Sequence, residues 1–125
     1  MSIPDELKYS EDHEWTRKEG DLLVVGITDY AQGELGDVVY LDLPAVGDTF
    51  NQKEPFGSIE AVKAAADLYM PLTGEIVEVN DALPDTPETI NQDPYGEGWM
   101  IKIKIDSTEE YDALMDAGAY EEHIG

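Results

Sequence analysis

Apolar and polar positions alternate most cleanly near the end of the chain. There Trp99-Met100-Ile101-Lys102-Ile103-Lys104-Ile105 puts Ile101, Ile103 and Ile105 on one side of a strand and Lys102 and Lys104 on the other. Leu22 to Thr28 is a β-branched apolar run, Asp37 to Leu43 alternates, and Phe56 to Lys63 and Leu68 to Val79 are strand-like segments broken by turn residues. Prolines at 44, 71, 84, 87 and 94 punctuate these segments and argue against long central strands. The pattern predicts a β core over about 21–106, with a short helix near Asp29 to Leu35. The tail changes period. Ser107 or Thr108 is placed to cap a helix whose first turn holds Glu109 and Glu110. Tyr111, Leu114 and Met115 would share its inner face, Gly118 would stop it, and Ala119 to Ile124 would add one turn, giving helices over about 107–124. No stretch has the composition of a flexible linker, so residues 1–125 read as a single domain.

The chain also resembles itself. Gly36-Asp37-Val38-Val39-Tyr40-Leu41-Asp42 is similar to Gly74-Glu75-Ile76-Val77-Glu78-Val79-Asn80, an offset of 38 residues. Such a match suggests a duplicated β unit with pseudo-two-fold symmetry, although short β segments with Gly-acid turns also resemble one another by chance. At that offset Lys63 falls just before a strand break, opposite Val25 of the other half.

Composition narrows the chemistry. There are no cysteines, which excludes disulfides, thiolate metal sites and cysteine nucleophiles, so any sulfur redox chemistry must come from a cofactor. The two histidines, His13 and His123, lie at opposite ends of the chain and read as surface or capping residues. Twenty-nine acids against seven bases leave a formal net charge of −22, which repels nucleic acid and anionic membranes and favours partners with basic docking faces. One setting that tolerates such charge is a salt-rich cell interior. No apolar run approaches the roughly 20 residues of a membrane span, and Met1 to Glu6 lacks the pattern of a signal or transit peptide. The sequence therefore reads as cytoplasmic. It offers no nucleophile-base pair, phosphate-binding glycine loop or metal cluster, so it reads as a non-enzyme.

Lys63 stands out because it is a rare base in an acidic chain, interrupts a β run where the chain can reverse, and is followed by Ala64, Ala65 and Ala66. Most lysines are solvated surface charges. At a hairpin tip, however, an acylated lysine makes a tether reaching roughly four residues of extended chain, which raises the effective concentration of its free end at each docked partner.

The segment Glu60-Ala61-Val62-Lys63-Ala64-Ala65-Ala66-Asp67-Leu68-Tyr69, with Pro71, Gly74 and Asn80, resembles the lipoylation segment of the glycine cleavage system H protein family. Three further blocks in the same order extend the resemblance over nearly the whole chain: His13-Glu14-Trp15, Val25 to Gln32 with Leu35 to Tyr40, and Asn91 to Trp99. The resemblance implies a mainly β barrel-sandwich hybrid, of the lipoyl/biotinyl-carrier kind, with short flanking helices and a C-terminal helical segment. It implies that Lys63 carries lipoate covalently as a lipoyl amide. The lipoyl group would accept an aminomethyl intermediate from a pyridoxal-phosphate glycine decarboxylase. It would present that unit to a tetrahydrofolate-dependent aminomethyltransferase and pass electrons to dihydrolipoamide dehydrogenase, after a lipoylating enzyme had installed it. It implies further that Glu14 and Asp67 line the cleft holding the loaded arm, where carboxylates keep the amine protonated and so block expulsion of the thiolate. The chain departs from the family at Ala66 and Ala61, where a serine is common. Trp15, Phe50 and Trp99 read as packing residues, and Asp93 to Trp99 as a turn that fixes the last strand. Alternatives are a lipoate relay protein, a lipoyl domain serving a 2-oxo acid dehydrogenase, and an unmodified β-rich interaction module. The Asp-Lys-Ala of 2-oxo acid domains is replaced here by Val62-Lys63-Ala64, and the Met-Lys-Met of biotin carriers is absent.

Overall fold

The computed structural model describes residues 2–125. Among the described residues nine strands form two antiparallel sheets: β1 (Lys8–Tyr9), β2 (Glu14–Glu19), β3 (Leu22–Ile27), β4 (Val38–Asp42), β5 (Thr49–Phe50), β6 (Pro55–Ala61), β7 (Ala65–Tyr69), β8 (Gly74–Val79) and β9 (Ile101–Ile105). One sheet runs β1-β2-β3-β9-β8-β5 and the other β4-β6-β7. Between them lies a core that includes Leu23, Val25 and Ile27 of β3, Leu41 of β4, Ile59 of β6, Leu68 of β7 and Ile76 of β8. Ile101 and Ile103 are fully buried in it, while Lys104 points to solvent, as the alternation of β9 requires. The architecture is the mainly β, lipoyl-carrier-like fold with short helices.

The sheet begins earlier than the expected 21. Tyr9 pairs with Trp15 in β2, and Trp15 with Gly26 in β3. The period of β2 is hidden because Glu14, Trp15 and Thr16 are all buried. A second cluster accounts for this: Leu7, Tyr9, Trp15 and Val24 are buried against Ala117 and Tyr120 of the C-terminal helix. Gly26 is placed by the same packing, since a Cβ there would come within 2.7 Å of the Trp15 ring.

Among the described residues four short helices flank the sheets: α1 (Asp29–Leu35), α2 (Thr89–Gln92), α3 (Thr108–Asp112) and α4 (Ala117–His123), with a 3-10 turn at Leu83–Asp85. α1 is where the sequence placed it, capped by the Thr28 side chain accepting from Ala31 N–H. α3 starts on Ser107 as expected, but Gly118 does not stop it. α3 ends at Asp112, and Gly118 lies inside α4, which begins on the Asp116 cap. The cause is a backbone bridge: Tyr9 N–H donates to Met115 O at 2.8 Å, and Met115 N–H to Tyr9 O at 2.9 Å. These bonds pull Met115 out of the helix and into the second cluster, while Tyr111 and Leu114 face the first.

The repeat is visible in the ladders. β4 and β6 shift register between Val38 and Tyr40, and β8 and β9 shift between Ile76 and Glu78, the same bulge 38 residues later. The symmetry does not extend to Lys63 and Val25. Val25 pairs mid-strand with Ile101, whereas Lys63 sits in the β6–β7 hairpin.

Few acids are paired. Among the described residues the ion pairs are Lys53 with Glu11, and Lys102 with Glu19 and Glu78. A net charge of −22 therefore stays largely uncompensated within the fold. The Debye length falls to about 3 Å at 1 M salt, so the melting temperature should rise by several degrees between low and molar salt. Equal melting temperatures would refute a fold strained by its own charge.

Candidate functional site

The β6–β7 hairpin is closed by Ala61 N–H donating to Ala64 O at 2.9 Å. Two further bonds pin its tip to the end of α1: Val62 N–H donates to Asp37 O at 2.9 Å and Lys63 N–H to Leu35 O at 3.1 Å. Lys63 is exposed. Its stem lies over Gly36, whose φ of 81° is one that side-chain-bearing residues rarely adopt, and a Cβ there would come within 3.0 Å of Lys63 Cγ. The arrangement holds the base of the lysine still and leaves Nζ to solvent.

Behind this junction stands Asn91, which the sequence reading did not single out. Its amide nitrogen donates to Gly36 O and Gln32 Oε1, each at 2.9 Å, and its oxygen accepts from Val38 N–H at 2.9 Å. Asn91 thus ties α2 to both ends of the turn beneath Lys63. Asn91→Ala strands a backbone donor and acceptor and should cost about 2 kcal/mol in a urea melt. A loss under roughly 0.5 kcal/mol, the range of ordinary surface substitutions, would remove it from this role.

A cavity of about 290 Å³ lies against α1 and β7. Ile27, Ala31, Leu35, Ile59 and Leu68 give it an apolar wall, and Asp12, Glu14, Glu34 and Asp67 bring four carboxyl groups to it. Glu14 and Asp67, far apart in sequence, are therefore lining residues of one cavity. Asp67 is exposed and four residues along from Lys63, at most about 13 Å away at ~3.3 Å per residue of strand. Ala66 also lines the cavity and contributes a methyl group to it.

Glu14 differs from the other acids. It is 2% exposed, and Ser10 Oγ donates to its Oε1 at 2.5 Å. Burial is the main cause that pushes its carboxyl up to about 8, with Asp12 adding to the shift and hydrogen bonds from Ser10 and the Tyr69 backbone opposing it. Among the described residues no buried side-chain nitrogen or oxygen lacks a hydrogen-bond partner, so the Glu14 carboxyl is buried with its hydrogen bonds met. A buried acid poised near neutrality in a cavity responds strongly to an arriving cation.

His123 is the exposed residue expected, in the last turn of α4, whereas His13 is half-buried, and the two meet despite their distance in sequence. His13, held at a φ of 70°, lines the cavity, and its ring lies 5.7 Å from that of His123. His13 Nδ1 and the Tyr120 hydroxyl are hydrogen-bonded at 2.9 Å, and that hydroxyl meets Thr28 Oγ1 at 2.7 Å. Burial, reinforced by His123, holds the His13 imidazole below its ordinary value. The cap of α1 and the cavity wall are thereby linked to α4, a connection only the tertiary fold creates. Trp15 Nε1 donates to Pro94 O at 2.9 Å, and Glu97 N–H to Asp93 Oδ2 at 2.9 Å, so the 93–99 segment is the turn expected before β9.

The family model described as Glycine cleavage H-protein matches residues 7–125. A glycine cleavage system H protein of Anaeromyxobacter sp. (strain K) is 52% identical over 124 residues, covering 99% of this chain and 97% of that protein. The corresponding protein of Staphylococcus carnosus is 48% identical over 125 residues, covering 100% and 99%. The crystal structure of a glycine cleavage system H protein from Mycobacterium marinum aligns with a TM-score of 0.90 and 40% identity, covering 98% of this chain and 99% of that one.

Proposed function

This chain belongs to the glycine cleavage H-protein family, and from that premise we propose that it is the lipoyl-bearing shuttle of the glycine cleavage system, a carrier and not an enzyme. The whole of residues 1–125 serves as one carrier domain, working in the cytoplasm. Among the described residues no helix is long and apolar enough to cross a membrane. Its partners are a pyridoxal-phosphate glycine decarboxylase, a tetrahydrofolate-dependent aminomethyltransferase, dihydrolipoamide dehydrogenase and a lipoylating enzyme. The observation that carries the reading is the exposed Lys63 on a pinned tip, within reach of a cavity holding Glu14 and Asp67.

The residues fit a lipoyl group. Lys63 Nζ offers an unhindered amine, and Ile27, Leu35 and Leu68 offer an apolar surface to a hydrocarbon arm. The at most ~13 Å from Lys63 to Asp67 matches a tether of roughly four extended residues. When bound as an amide on Lys63, lipoate supplies a dithiolane that accepts the aminomethyl unit and two electrons.

The protein's own contribution is to position and to protect. Lys63 anchors the arm, and the backbone bonds to Leu35 and Asp37 keep its base in place. Glu14 and Asp67, which line one cavity, would face the amine of the cargo, where negative charge favours the ammonium form. An ammonium has no lone pair with which to expel sulfur. The apolar wall excludes water from the arm between encounters.

The reading is tested by reconstitution. Lipoylated protein mixed with glycine decarboxylase should support glycine-dependent release of carbon dioxide, and unlipoylated protein should support none. No release with an active decarboxylase and fully lipoylated carrier would overturn it.

A further inference from the structure

Large apolar side chains are exposed beside the lysine: Val39 at 59%, Tyr40 at 53% and Val62 at 73%. The register explains their grouping. Tyr40 is opposite Glu60 and Glu60 opposite Ala65, so these three stand on one face of the three-stranded sheet. The bulge between Val38 and Tyr40 turns two successive residues outward, and the Val38–Ala61 pair sets them next to Val62 at the tip. Thirty-eight residues on, the same bulge carries a half-buried Val77 and an exposed Glu78. The backbone device is shared by both repeats, whereas the exposed apolar pair occurs only at the bulge whose strand pairs with the β6 arm of the Lys63 hairpin. Exposed acids frame it: Asp37, Asp42 and Glu60.

We propose that Val39, Tyr40 and Val62 form the docking surface for the enzyme that acylates Lys63, a partner presenting an apolar recess framed by Lys or Arg side chains. The proposal rests on the reading of Lys63 as the lipoyl site and names what recognises it. Reach selects this partner. Amide formation needs the activated carbonyl about 3–3.5 Å from Nζ, at the end of a short stem, so the acylating enzyme must touch the hairpin. Enzymes that work on the completed arm meet its free end, further out by roughly four residues of extended chain. Charge selects the chemistry of the frame, because the rim is acidic and the whole chain carries −22. In the step itself, the Nζ amine attacks the carbonyl of lipoyl-adenylate. The C–N bond forms, AMP leaves with the electron pair of the broken C–O bond, and the amine proton passes to solvent.

The test uses the full chain and a lipoate ligase supplied with lipoyl-adenylate. Val62→Ser, and Val39→Ser combined with Tyr40→Ser, should each lower kcat/KM for acylation about tenfold, the loss expected for a central apolar contact. In the Lys63→Arg background, where no acyl transfer intervenes, the same changes should weaken ligase binding about tenfold by calorimetry. Val46→Ser, at 64% exposure in the β4–β5 loop, should change neither. Once driven to full lipoylation, the patch variants should take up the aminomethyl unit from glycine within twofold of the parent rate. Parental acylation and binding in the patch variants would overturn the proposal and leave the carrier reading standing. An equal loss in acylation and in loading would overturn the choice of partner. A parent chain left unacylated at Lys63 by an active ligase would overturn both readings.

Discussion

Glu14→Gln should shorten the lifetime of the loaded arm about tenfold, equivalent to ~1.4 kcal/mol of lost stabilisation, without weakening the fold. The buried carboxyl titrates near 8 in the folded protein against an ordinary value of 4.5. Between those values the native state binds one proton more than the unfolded state, so this group makes stability fall as pH rises through the window. The loss is absent below the lower value and complete above the upper one. Glutamine carries no titrating proton, so the variant should gain on the parent steadily from pH 5 to pH 8 in chemical denaturation. Its function should move the other way. To face an ammonium, Glu14 must give up its proton, and the cation lowers the cost of doing so. The parent's advantage in retaining the aminomethyl unit should therefore grow from pH 6 to pH 8. Comparing parent and variant at each pH cancels the titration of the amine itself. The measured quantity is the release of ammonia and formaldehyde from isolated loaded protein. Equal release rates at pH 8 would remove Glu14 from the holding site.

Lys63→Arg should abolish carriage altogether while leaving stability within roughly 0.5 kcal/mol of the parent, as for an exposed surface position. Arginine keeps the positive charge and most of the reach, so whatever lysine contributes by charge survives. It does not offer a neutral amine, because guanidinium stays protonated at any working pH. The tip's backbone bonds to Leu35 and Asp37 use main-chain amides and are indifferent to the side chain. The variant should thus melt like the parent and show neither added acyl mass nor glycine-dependent activity. Acylation persisting elsewhere, for instance at exposed Lys53, would show that the enzyme does not read this hairpin.

What could be read ahead of the structure depended on whether the signal was local. The alternation of β9 and the short helix over Asp29 to Leu35 are each written in a few adjacent residues, and both are found where expected. The β4 segment was placed correctly, but its alternation is interrupted by the bulge that exposes both Val39 and Tyr40. β2 was missed because Glu14, Trp15 and Thr16 are all buried, Trp15 in a cluster with residues of α4 more than 90 positions away, so the strand carries no period-two pattern. The stop at Gly118 failed for a similar reason. Glycine is a fair local signal for a helix end, but the Tyr9–Met115 bridge ended the helix earlier. At the site, Lys63 was legible from its motif and its turn. Glu14 was singled out by motif alone; nothing among 29 acids marks one that Ser10 and Tyr69 will enclose. The meeting of His13 with His123, and the three hydrogen bonds of Asn91 beneath the lysine, were illegible because each joins segments that only the closed fold brings together.

The central claim is that Lys63 bears a lipoyl arm that is loaded from glycine. Intact mass with peptide mapping tests it most directly, on lipoylated protein before and after mixing with a pyridoxal-phosphate glycine decarboxylase and glycine. The account predicts a lipoyl mass on the Lys63 peptide that gains an aminomethyl group only when glycine and decarboxylase are both present. A Lys63 peptide without acyl mass in protein from its native host, or a lipoylated one that an active decarboxylase leaves unchanged, would contradict it.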